Sequence, residues 1–161
     1  MADLPAMAAI NSDPAVMEYF PSIPTEEQTM EFIKRMQAHY EEKGFCYFAV
    51  ERLDTKELAG FIGLMEKTFE SDFTPCVDIG WRLGQKHWGQ GFATEGAKRC
   101  LEYAFEVAGL EEVVAICPQI NLPSEAVMKK TGMQKIKTFE HPLLKDDERL
   151  RPCLLYKTGK C

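Results

Sequence analysis

Apolar side chains in the first 43 residues recur at the spacing of α-helices. The pattern predicts a short helix over residues 3–10, capped by Asp3, and a further helical turn over residues 15–20. Thr25-Glu26-Glu27-Gln28 has the sequence of a capping box and predicts the start of a longer helix. Gly44 ends that helix, because glycine readily adopts the left-handed conformation that follows many helices.

After Gly44 the pattern changes to that of β-strands. Residues 45–51 and 58–67 are apolar runs separated by the turn residues Asp54-Thr55-Lys56, so they predict a hairpin. In residues 75–83 the side chains alternate between two faces of a strand. Val77, Ile79, Trp81 and Leu83 share one face, and Asp78, Gly80 and Arg82 share the other.

The second half of the chain predicts helices and strands in alternation. Residues 94–108 form the clearest helix, because Ala97, Leu101 and Ala104 make one apolar stripe and Gly109 follows. The later predicted elements are a strand over 113–117, a helix over 124–131, strands over 133–140 and 153–157, and a charged, mobile loop over 142–149.

This order of elements predicts a mixed α/β fold in a single domain that spans residues 1–161. The strand–helix–strand unit between residues 75 and 117 requires one locally parallel pair, whereas the hairpin is antiparallel. We therefore expect a central, mostly antiparallel mixed sheet with helices on both faces. A chain of this length buries enough surface to need no metal ion or disulfide for stability.

Charge and cysteine content narrow the possible functions. The chain carries 25 acidic and 19 basic residues, and the net charge of −6 argues against general nucleic-acid binding. The six cysteines form no Cys-x-x-Cys pair and no zinc-ligand spacing, so we predict reduced, buried thiols and no metal site. The sequence shows no leader peptide and no apolar run of membrane length, which predicts a cytoplasmic protein without a membrane partner.

The densest chemical signal is the segment Asp78-Ile-Gly-Trp-Arg-Leu-Gly-Gln-Lys-His-Trp-Gly-Gln-Gly-Phe-Ala-Thr-Glu-Gly-Ala97. It predicts a strand, a glycine-rich loop and a helix N-terminus in succession, an arrangement whose backbone N–H groups bind anions. Gly89 and Gly91 permit a close approach of the backbone to such a ligand. The basic residues near the loop are Arg82, Lys86 and His87.

Two common nucleotide-binding motifs do not fit this loop. Gly84 and Gly89 have the spacing of a P-loop, but Gln90-Gly91 stands where Lys-Ser/Thr is required. Gly89-x-Gly91 begins a dinucleotide fingerprint, but Thr94 occupies the position of the third glycine. The loop therefore predicts neither an ATPase nor a dinucleotide-binding domain.

A second motif, Asn121-Leu-Pro-Ser124-Glu-Ala-Val-Met-Lys-Lys130-Thr-Gly-Met133, follows the next predicted strand. Together the two motifs resemble the GNAT superfamily of acetyl-coenzyme A-dependent N-acetyltransferases. The resemblance is closest to the Rim-type branch, which acetylates ribosomal-protein N-termini and similar amines. Trp88-Gly-Gln-Gly91-Phe-Ala93-Thr-Glu matches the pyrophosphate loop of that branch, with Trp88 in the first position. Ile10-Asn11-Ser12-Asp13-Pro14 and Tyr19-Phe20 also resemble its N-terminal region.

The resemblance implies a set of residues that bind acetyl-CoA. The pantetheine arm is expected beside Trp81, Arg82 and Leu83, at the end of a strand that splays from its neighbour, and beside Asn121. The pyrophosphate is expected mostly at backbone N–H groups of the loop, and Ser124 and Lys130 complete the set. The loop residues are Lys86, His87, Trp88, Gly89, Gln90, Gly91, Phe92, Ala93 and Thr94.

Catalytic roles follow from what acetyl transfer to an amine requires, since the leaving thiolate gains a proton and the ammonium loses one. Ser124 is predicted as the general acid or, alternatively, as the N-cap of its helix. The spacing of Tyr156 does not suit that acid. Asp78 is predicted to accept the amine proton through water, with Glu66 as the rival. We expect direct attack by the amine rather than a two-step transfer through Cys117, whose apolar surroundings make a thiol inert.

The sequence also leads to expectations about the acceptor, the oligomeric state and the alternative functions. The resemblance implies an amine acceptor, either a small molecule or a protein N-terminus, and the acidic balance favours a cationic one. Members of the family begin with a strand before the first helix, which this chain is predicted to lack, so a homodimer that covers the hairpin edge is a hypothesis. The alternatives are a non-catalytic acyl-CoA-binding or sensing module on the same fold, and an interaction domain with a chance glycine-rich loop.

Overall fold

The computed structural model describes residues 2–160, which form four α-helices, six β-strands and two short 3-10 helices. The helices are α1 (Leu4–Asn11), α2 (Glu26–Lys43), α3 (Phe92–Glu106) and α4 (Leu122–Lys130). The strands are β1 (Tyr47–Glu51), β2 (Leu58–Lys67), β3 (Cys76–Leu83), β4 (Glu112–Pro118), β5 (Gln134–Glu140) and β6 (Pro152–Gly159). The 3-10 helices lie at Gln85–His87 and Pro142–Leu144.

The strands form one mixed sheet in the order β1-β2-β3-β4-β6-β5. Every neighbouring pair is antiparallel except β3 and β4, which run parallel and meet at one position, Asp78 opposite Val114. The predicted mixed sheet with one parallel, splayed pair is confirmed. Beyond Asp78 the two strands diverge, which opens a wedge between their C-terminal halves.

The pleat of β3 decides which of its residues face this wedge. The N–H of Gly84 donates to the carbonyl of Ala59 (2.8 Å), and β2 and β3 pair without a bulge. Because hydrogen-bonded pairs alternate along antiparallel strands, the backbone groups of Arg82 also point at β2. Trp81 and Leu83 therefore direct their backbone groups toward the wedge.

Helices cover both faces of the sheet. Ala97 of α3 and Met128 of α4 belong to the main apolar core, together with Ile79 of β3. On the opposite face Phe32 of α2 contacts Phe61 of β2, with 5.2 Å between the ring centroids. Since neighbouring side chains of β3 alternate between these faces, Trp81 shares the side of α3 and α4, and Arg82 shares the side of α1 and α2.

The capping box predicted for α2 is confirmed. The Thr25 hydroxyl accepts from the N–H of Gln28 (3.1 Å), and the Gln28 side chain accepts from the N–H of Thr25 (2.8 Å). Gly44 ends the helix in the left-handed conformation, at φ +81°. Asp3 precedes α1 as predicted, but its side chain makes no capping hydrogen bond.

Two predicted helix starts are wrong. α3 begins at Phe92, before the predicted start at Thr94, because Gly91 occupies its N-cap in the left-handed conformation. α4 begins at Leu122 and is capped by Asn121, not by Ser124. The Asn121 side-chain oxygen accepts from the N–H of Ser124 (3.2 Å), so the serine hydroxyl is not needed at this helix end.

One irregular segment differs from the prediction, and a second is a loop as predicted. Residues 14–19 form turns rather than a helix, and they bury Val16 and Met17. Residues 142–149 lack a strand as predicted, but hydrogen bonds hold this loop at Asp147, whose Oδ1 accepts from the N–H of Arg149 (3.1 Å). Arg149 then donates through Nη2 to the carbonyl of Glu18 (2.6 Å), which ties the two segments together.

Within residues 2–160, no strand pairs with the outer edge of β1. The homodimer that would cover this edge stays a prediction. No helix in the described part of the chain combines the length and the apolar character needed to cross a membrane.

Candidate functional site

A cleft of about 490 Å³ lies where β3 and β4 splay apart. It is lined by the end of β3 (residues 81–83), residues 87–89, Gly91 with the first turn of α3, parts of the segment from Asn121 to Lys130, and residues 15–16 and 18–20. This volume lies within the range of small-molecule sites. Most of the predicted site residues meet here, and Asp78, Lys86 and Gln90 do not line it.

The N-terminus of α3 presents unpaired donors to the cleft. Gly91 is its N-cap, and no side chain caps the helix. The first helical hydrogen bond runs from the N–H of Glu95 to the carbonyl of Gly91 (3.0 Å). The N–H groups of Phe92, Ala93 and Thr94 donate to no acceptor in residues 2–160. Together with the helix dipole, these unpaired donors have the arrangement that can bind an anion such as a pyrophosphate.

Two glycines shape the loop before α3. Gly89 and Gly91 have φ values of +71° and +82°, a region that glycine enters without strain. A Cβ atom at either position would meet nothing within 4 Å, so the space over the loop is open. The backbone at this loop is therefore accessible to a ligand.

The side chains of the loop contribute less charge than the sequence predicts. Lys86 forms an ion pair with Glu57 (2.7 Å), and Gln90 contacts Arg52 (3.4 Å), so both point away from the cleft. Burial lowers the pKa of His87, which favours its neutral ring. An anion at this loop therefore meets backbone donors rather than an array of cations.

His87 nevertheless fits a bound ligand in another way. Its side chain is 1% exposed and lines the cleft, yet neither ring nitrogen has a hydrogen-bond partner among the described residues. Buried polar atoms without partners are costly. A ligand that supplies a donor or an acceptor to this ring would remove that cost.

The end of β3 offers backbone groups to the wedge. The N–H and carbonyl of Trp81 and the N–H of Leu83 face it, as the pleat requires. The carbonyl of Leu83 accepts from the indole N–H of Trp88 (2.9 Å), which leaves the Trp88 ring half exposed over the cleft. The backbone of Arg82 pairs with Phe61 of β2, so Arg82 reaches the cleft through its side chain alone.

Ser124 is held by a residue of β3. The indole N–H of Trp81 donates to the Ser124 hydroxyl oxygen (3.2 Å), and both residues line the cleft. This hydroxyl accepts one hydrogen bond and keeps its own proton for donation. Tyr156, the late tyrosine, donates instead to Glu125 (2.6 Å). Burial and that hydrogen bond raise the pKa of Tyr156 to about 12.

The two carboxylates predicted as general bases lie outside the cleft. Asp78 is 6% exposed and accepts a hydrogen bond from the Tyr47 hydroxyl (2.8 Å), which covers it from β1. Burial raises the pKa of the Asp78 carboxyl. Glu66 forms an ion pair with Lys43 (3.3 Å). Neither carboxylate lines the cleft, and the role of Asp78 as the base that accepts the amine proton through water stays a prediction.

Residues 15–20 are part of the cleft wall that sequence reasoning did not assign. Glu18, Tyr19 and Phe20 line it from the side of α1 and α2. Only the likeness of Tyr19-Phe20 to a family segment pointed to them, since a turn carries no periodic pattern and no recognisable chemical motif.

The cysteines offer no alternative nucleophile. Cys117 is buried, and burial raises the pKa of its thiol to about 12. In residues 2–160 the five cysteines are free thiols, and no group of three or more His, Cys, Asp or Glu side chains could hold a metal ion.

Comparisons with known proteins agree with this geometry. The sequence profile of the family described as "Acetyltransferase (GNAT) domain" matches residues 1–134. The uncharacterized N-acetyltransferase YnaD of Bacillus subtilis is 32% identical over 147 residues, which cover 91% of this chain and 82% of that protein. A GNAT-family acetyltransferase from Bacillus anthracis has a similar crystal structure, with a TM-score of 0.80 and 26% identity over 98% of this chain and 89% of that one.

Two more distant structures share the fold alone. A ribosomal-protein-alanine N-acetyltransferase from Brucella melitensis aligns with a TM-score of 0.76 at 18% identity, covering 99% of this chain and 95% of that one. A spermidine N-acetyltransferase from Vibrio cholerae, solved in complex with CoA and spermine, aligns with a TM-score of 0.73 at 17% identity, covering 98% and 90%.

Proposed function

The chain belongs to the GNAT acetyltransferase family and is an acetyltransferase, and from this premise we propose that it transfers an acetyl group from acetyl-CoA directly to a primary amine. One observation carries the proposal. The unpaired N–H groups at the start of α3, the unpaired backbone at the end of β3 and the Ser124 hydroxyl all open into the same cleft.

The residues that hold acetyl-CoA follow from these donors. Phe92, Ala93 and Thr94 bind the pyrophosphate through their N–H groups, supported by the dipole of α3. Trp81 and Leu83 bind the pantetheine arm through backbone groups that no strand takes. Acetyl-CoA supplies an activated thioester carbon for attack by the amine.

Ser124 acts on the leaving group. The amine nitrogen forms the new C–N bond while the C–S bond breaks, and Ser124 Oγ passes its proton to the departing sulfur. The Trp81 indole orients that oxygen by donating to it. The surplus proton of the amine passes through water in the cleft to Ser124 Oγ and restores its hydroxyl, because Asp78 lies outside the cleft.

The branch within the family and the acceptor are narrower questions. Trp88 at the first position of the loop supports the Rim-type branch. The fold alone does not choose an acceptor, because structures of similar closeness come from an enzyme named for ribosomal protein alanine and one named for spermidine. The alternative of a non-catalytic acyl-CoA-binding module uses the same donors and lacks turnover.

Two measurements test the proposal. Acetyl-CoA at about 100 times its dissociation constant should stabilise the protein by about 2.7 kcal/mol, which raises the unfolding temperature by roughly 5–10 °C, while NAD and ATP should not. Release of free CoA thiol should then depend on an added amine, with an N-acetylated amine as the second product. Stabilisation by acetyl-CoA without amine-dependent release would favour the binding module, and no stabilisation would exclude both.

A further inference from the structure

Arg82 is held in place from the side of the sheet that α1 and α2 cover. Its Nη1 donates to the side-chain oxygen of Asn11 (3.0 Å), and Asn11 donates through Nδ2 to the Thr29 hydroxyl (3.0 Å). Asn11 and Thr29 are 2% and 1% exposed. Two buried polar side chains thus fix one guanidinium at the wall of the cleft.

Aromatic rings complete the surroundings of this guanidinium. Its central carbon lies 4.2 Å from the ring centre of Phe20 and 5.1 Å from that of Phe61. Such cation–π contacts stabilise a cation without neutralising its charge. They also replace the water that would otherwise surround it, which increases the strength of any ion pair formed there.

The charge of Arg82 has no counter-ion in the described chain. No carboxylate of residues 2–160 forms an ion pair with it. Its Nε is buried without a partner, and its Nη2 makes no hydrogen bond to a described residue. Burial lowers the pKa of Arg82 to about 10, so the side chain is still cationic at neutral pH. The Nε–Nη2 edge has the geometry that binds a carboxylate with two parallel hydrogen bonds.

The other titratable groups that line the cleft do not neutralise the charge of Arg82. Glu18 lines the same cleft, but it is exposed and no ion pair links it to Arg82. Lys130 is a cation on α4, on the other side of the wedge, and is no counter-ion for Arg82. Burial lowers the pKa of His87, which favours its neutral ring. Among the described residues, the cleft therefore holds one guanidinium without a counter-ion, which makes it a candidate site for the anionic group of a ligand.

The acetyl-CoA phosphates already have a place elsewhere. The donors of α3 lie on the sheet face that Trp81 shares, whereas Arg82 projects from the opposite face, beside α1 and the turn at residues 14–19. One reactant thus occupies the wedge from the α3 side. The guanidinium is left on the side of the cleft that these donors do not occupy.

Resting on the proposed acetyltransferase function, we propose that the acceptor is a small primary amine that also carries a carboxylate, as a free amino acid does, and that the Nε–Nη2 edge of Arg82 binds this carboxylate. The net charge of −6 led us to expect a cationic acceptor, whereas the unpaired guanidinium favours one that carries a carboxylate. A polyamine would bring a second positive charge toward an arginine that lacks an anion, which disfavours it.

The first test needs only the wild-type protein. Release of CoA thiol is measured with free L-amino acids and with the matched amino acid amides, which differ only at the carboxylate, and with spermidine. We expect kcat/KM to be about 10–100-fold higher for the acid than for the amide, as a charge-assisted bidentate contact predicts. The amide has the less basic amine, so amine ionisation cannot produce this preference. An equal or higher value for the amide, or turnover of spermidine alone, overturns the inference.

The second test locates the preference at Arg82. In Arg82→Gln the acid-to-amide ratio should fall to about 1, and in Arg82→Lys it should fall partway, because an ammonium keeps the charge but loses the fork of two donors. Arg99→Gln removes a positive charge from the exposed face of α3 and should leave the ratio unchanged. The KM for acetyl-CoA should stay within about twofold in all three variants.

The outcomes separate the two possible sources of the anion. A raised KM for acetyl-CoA with an unchanged acid-to-amide ratio in Arg82→Gln assigns the guanidinium to a cofactor phosphate and overturns the inference. Should Arg82→Gln not fold, as judged by thermal unfolding, Arg82→Lys and the wild-type comparison decide the matter. If acetyl-CoA stabilises the protein and no amine releases CoA, the proposed transfer itself fails; if amines react without preference for a carboxylate, only this inference fails.

Discussion

The indole nitrogen of Trp81 lies 3.2 Å from the hydroxyl oxygen of Ser124 and donates a hydrogen bond to it. This contact joins the end of β3 to the first turn of α4 across the cleft. Asn121 caps α4, so the serine hydroxyl is not needed at the helix end. Its hydrogen bond to the Trp81 indole is the one side-chain hydrogen bond within residues 2–160 that a substitution of Ser124 would remove. The orientation of the hydroxyl into the cleft is therefore separable from the stability of the helix.

Replacing Ser124 by alanine should damage turnover and spare the fold. We expect kcat to fall about 10²-fold, the lower end for a general acid, because a thiolate is already a good leaving group. The unfolding free energy should change by less than about 1 kcal/mol, since the helix cap remains. Steady-state kinetics and thermal unfolding of the same preparation check both parts. A fall in stability with unchanged kcat would mean that the hydroxyl is structural.

The Trp81→Phe variant tests the orienting hydrogen bond. Phenylalanine keeps an aromatic ring in the core but removes the donor to Ser124. One such hydrogen bond is worth about 1 kcal/mol, which predicts a loss of about fivefold in kcat. The loss should vanish when the substitution is made in the Ser124→Ala background, because the donor then has no acceptor. A full second loss in the double variant would contradict the pairing.

Asn121 should contribute mainly to stability in the free protein. Asn121→Ala removes the side-chain acceptor at the start of α4 and should cost about 1 kcal/mol. For a chain of this size the unfolding temperature then falls by roughly 2–4 °C. Asn121→Asp keeps an acceptor oxygen and serves as the control, with a smaller fall expected. Equal losses in both variants would show that the cap is not the source of the stability.

Alanine substitutions at two glycines should distinguish an effect on ligand binding from the cost of backbone strain. Gly91 and Gly44 have φ values of +82° and +81°, and a Cβ at either would meet nothing within 4 Å. Alanine at either position should therefore cost a similar ~1 kcal/mol from the left-handed backbone. Only Gly91→Ala should also weaken acetyl-CoA binding, by at least about tenfold, because Gly91 begins the turn that we propose to bind the pyrophosphate. Thermal unfolding with and without acetyl-CoA measures both quantities.

Asp78 makes stability depend on pH in a predictable direction. Burial raises its pKa in the folded state, so the folded protein holds this proton more tightly than the unfolded chain. Stability should therefore fall as pH rises from the unfolded pKa to the folded one, and stay lower above it. Asp78→Asn keeps an acceptor for the Tyr47 hydroxyl and removes the titration. The variant should gain stability relative to wild type as pH rises through this window, as measured by chemical denaturation at several pH values.

The strongly patterned parts of the fold were predictable from local sequence. The bounds of β2 at Leu58 and Lys67 match the prediction, and so does the capping box at Thr25, because each depends on residues that are neighbours in sequence. The glycine-rich loop was predicted for the same reason. Gly91 and the residues after it form the uncapped first turn of α3.

What the sequence does not show depends on contacts between residues that are distant along the chain. Ser124 fits an N-cap by residue type, but Asn121 takes that position, and the contact with Trp81 spans 43 positions of sequence. Asp78 lies on the strand face predicted for it, yet Tyr47 of another strand covers it. The turn that contains Glu18 lines the cleft, and Arg149 from the far end of the chain donates to the Glu18 carbonyl. The pattern of neighbouring residues in the sequence does not predict such distant contacts.

The single paired position between β3 and β4 divides the sheet into two halves. Asp78 and Val114 form the only rung between one three-stranded half, β1 to β3, and the other, β4 to β6, within the described residues. A pantetheine arm bound to the free backbone groups of Trp81, as we propose, would form a second contact between these halves. The donor substrate would then act as a temporary strand, and its binding would join the two halves of the sheet.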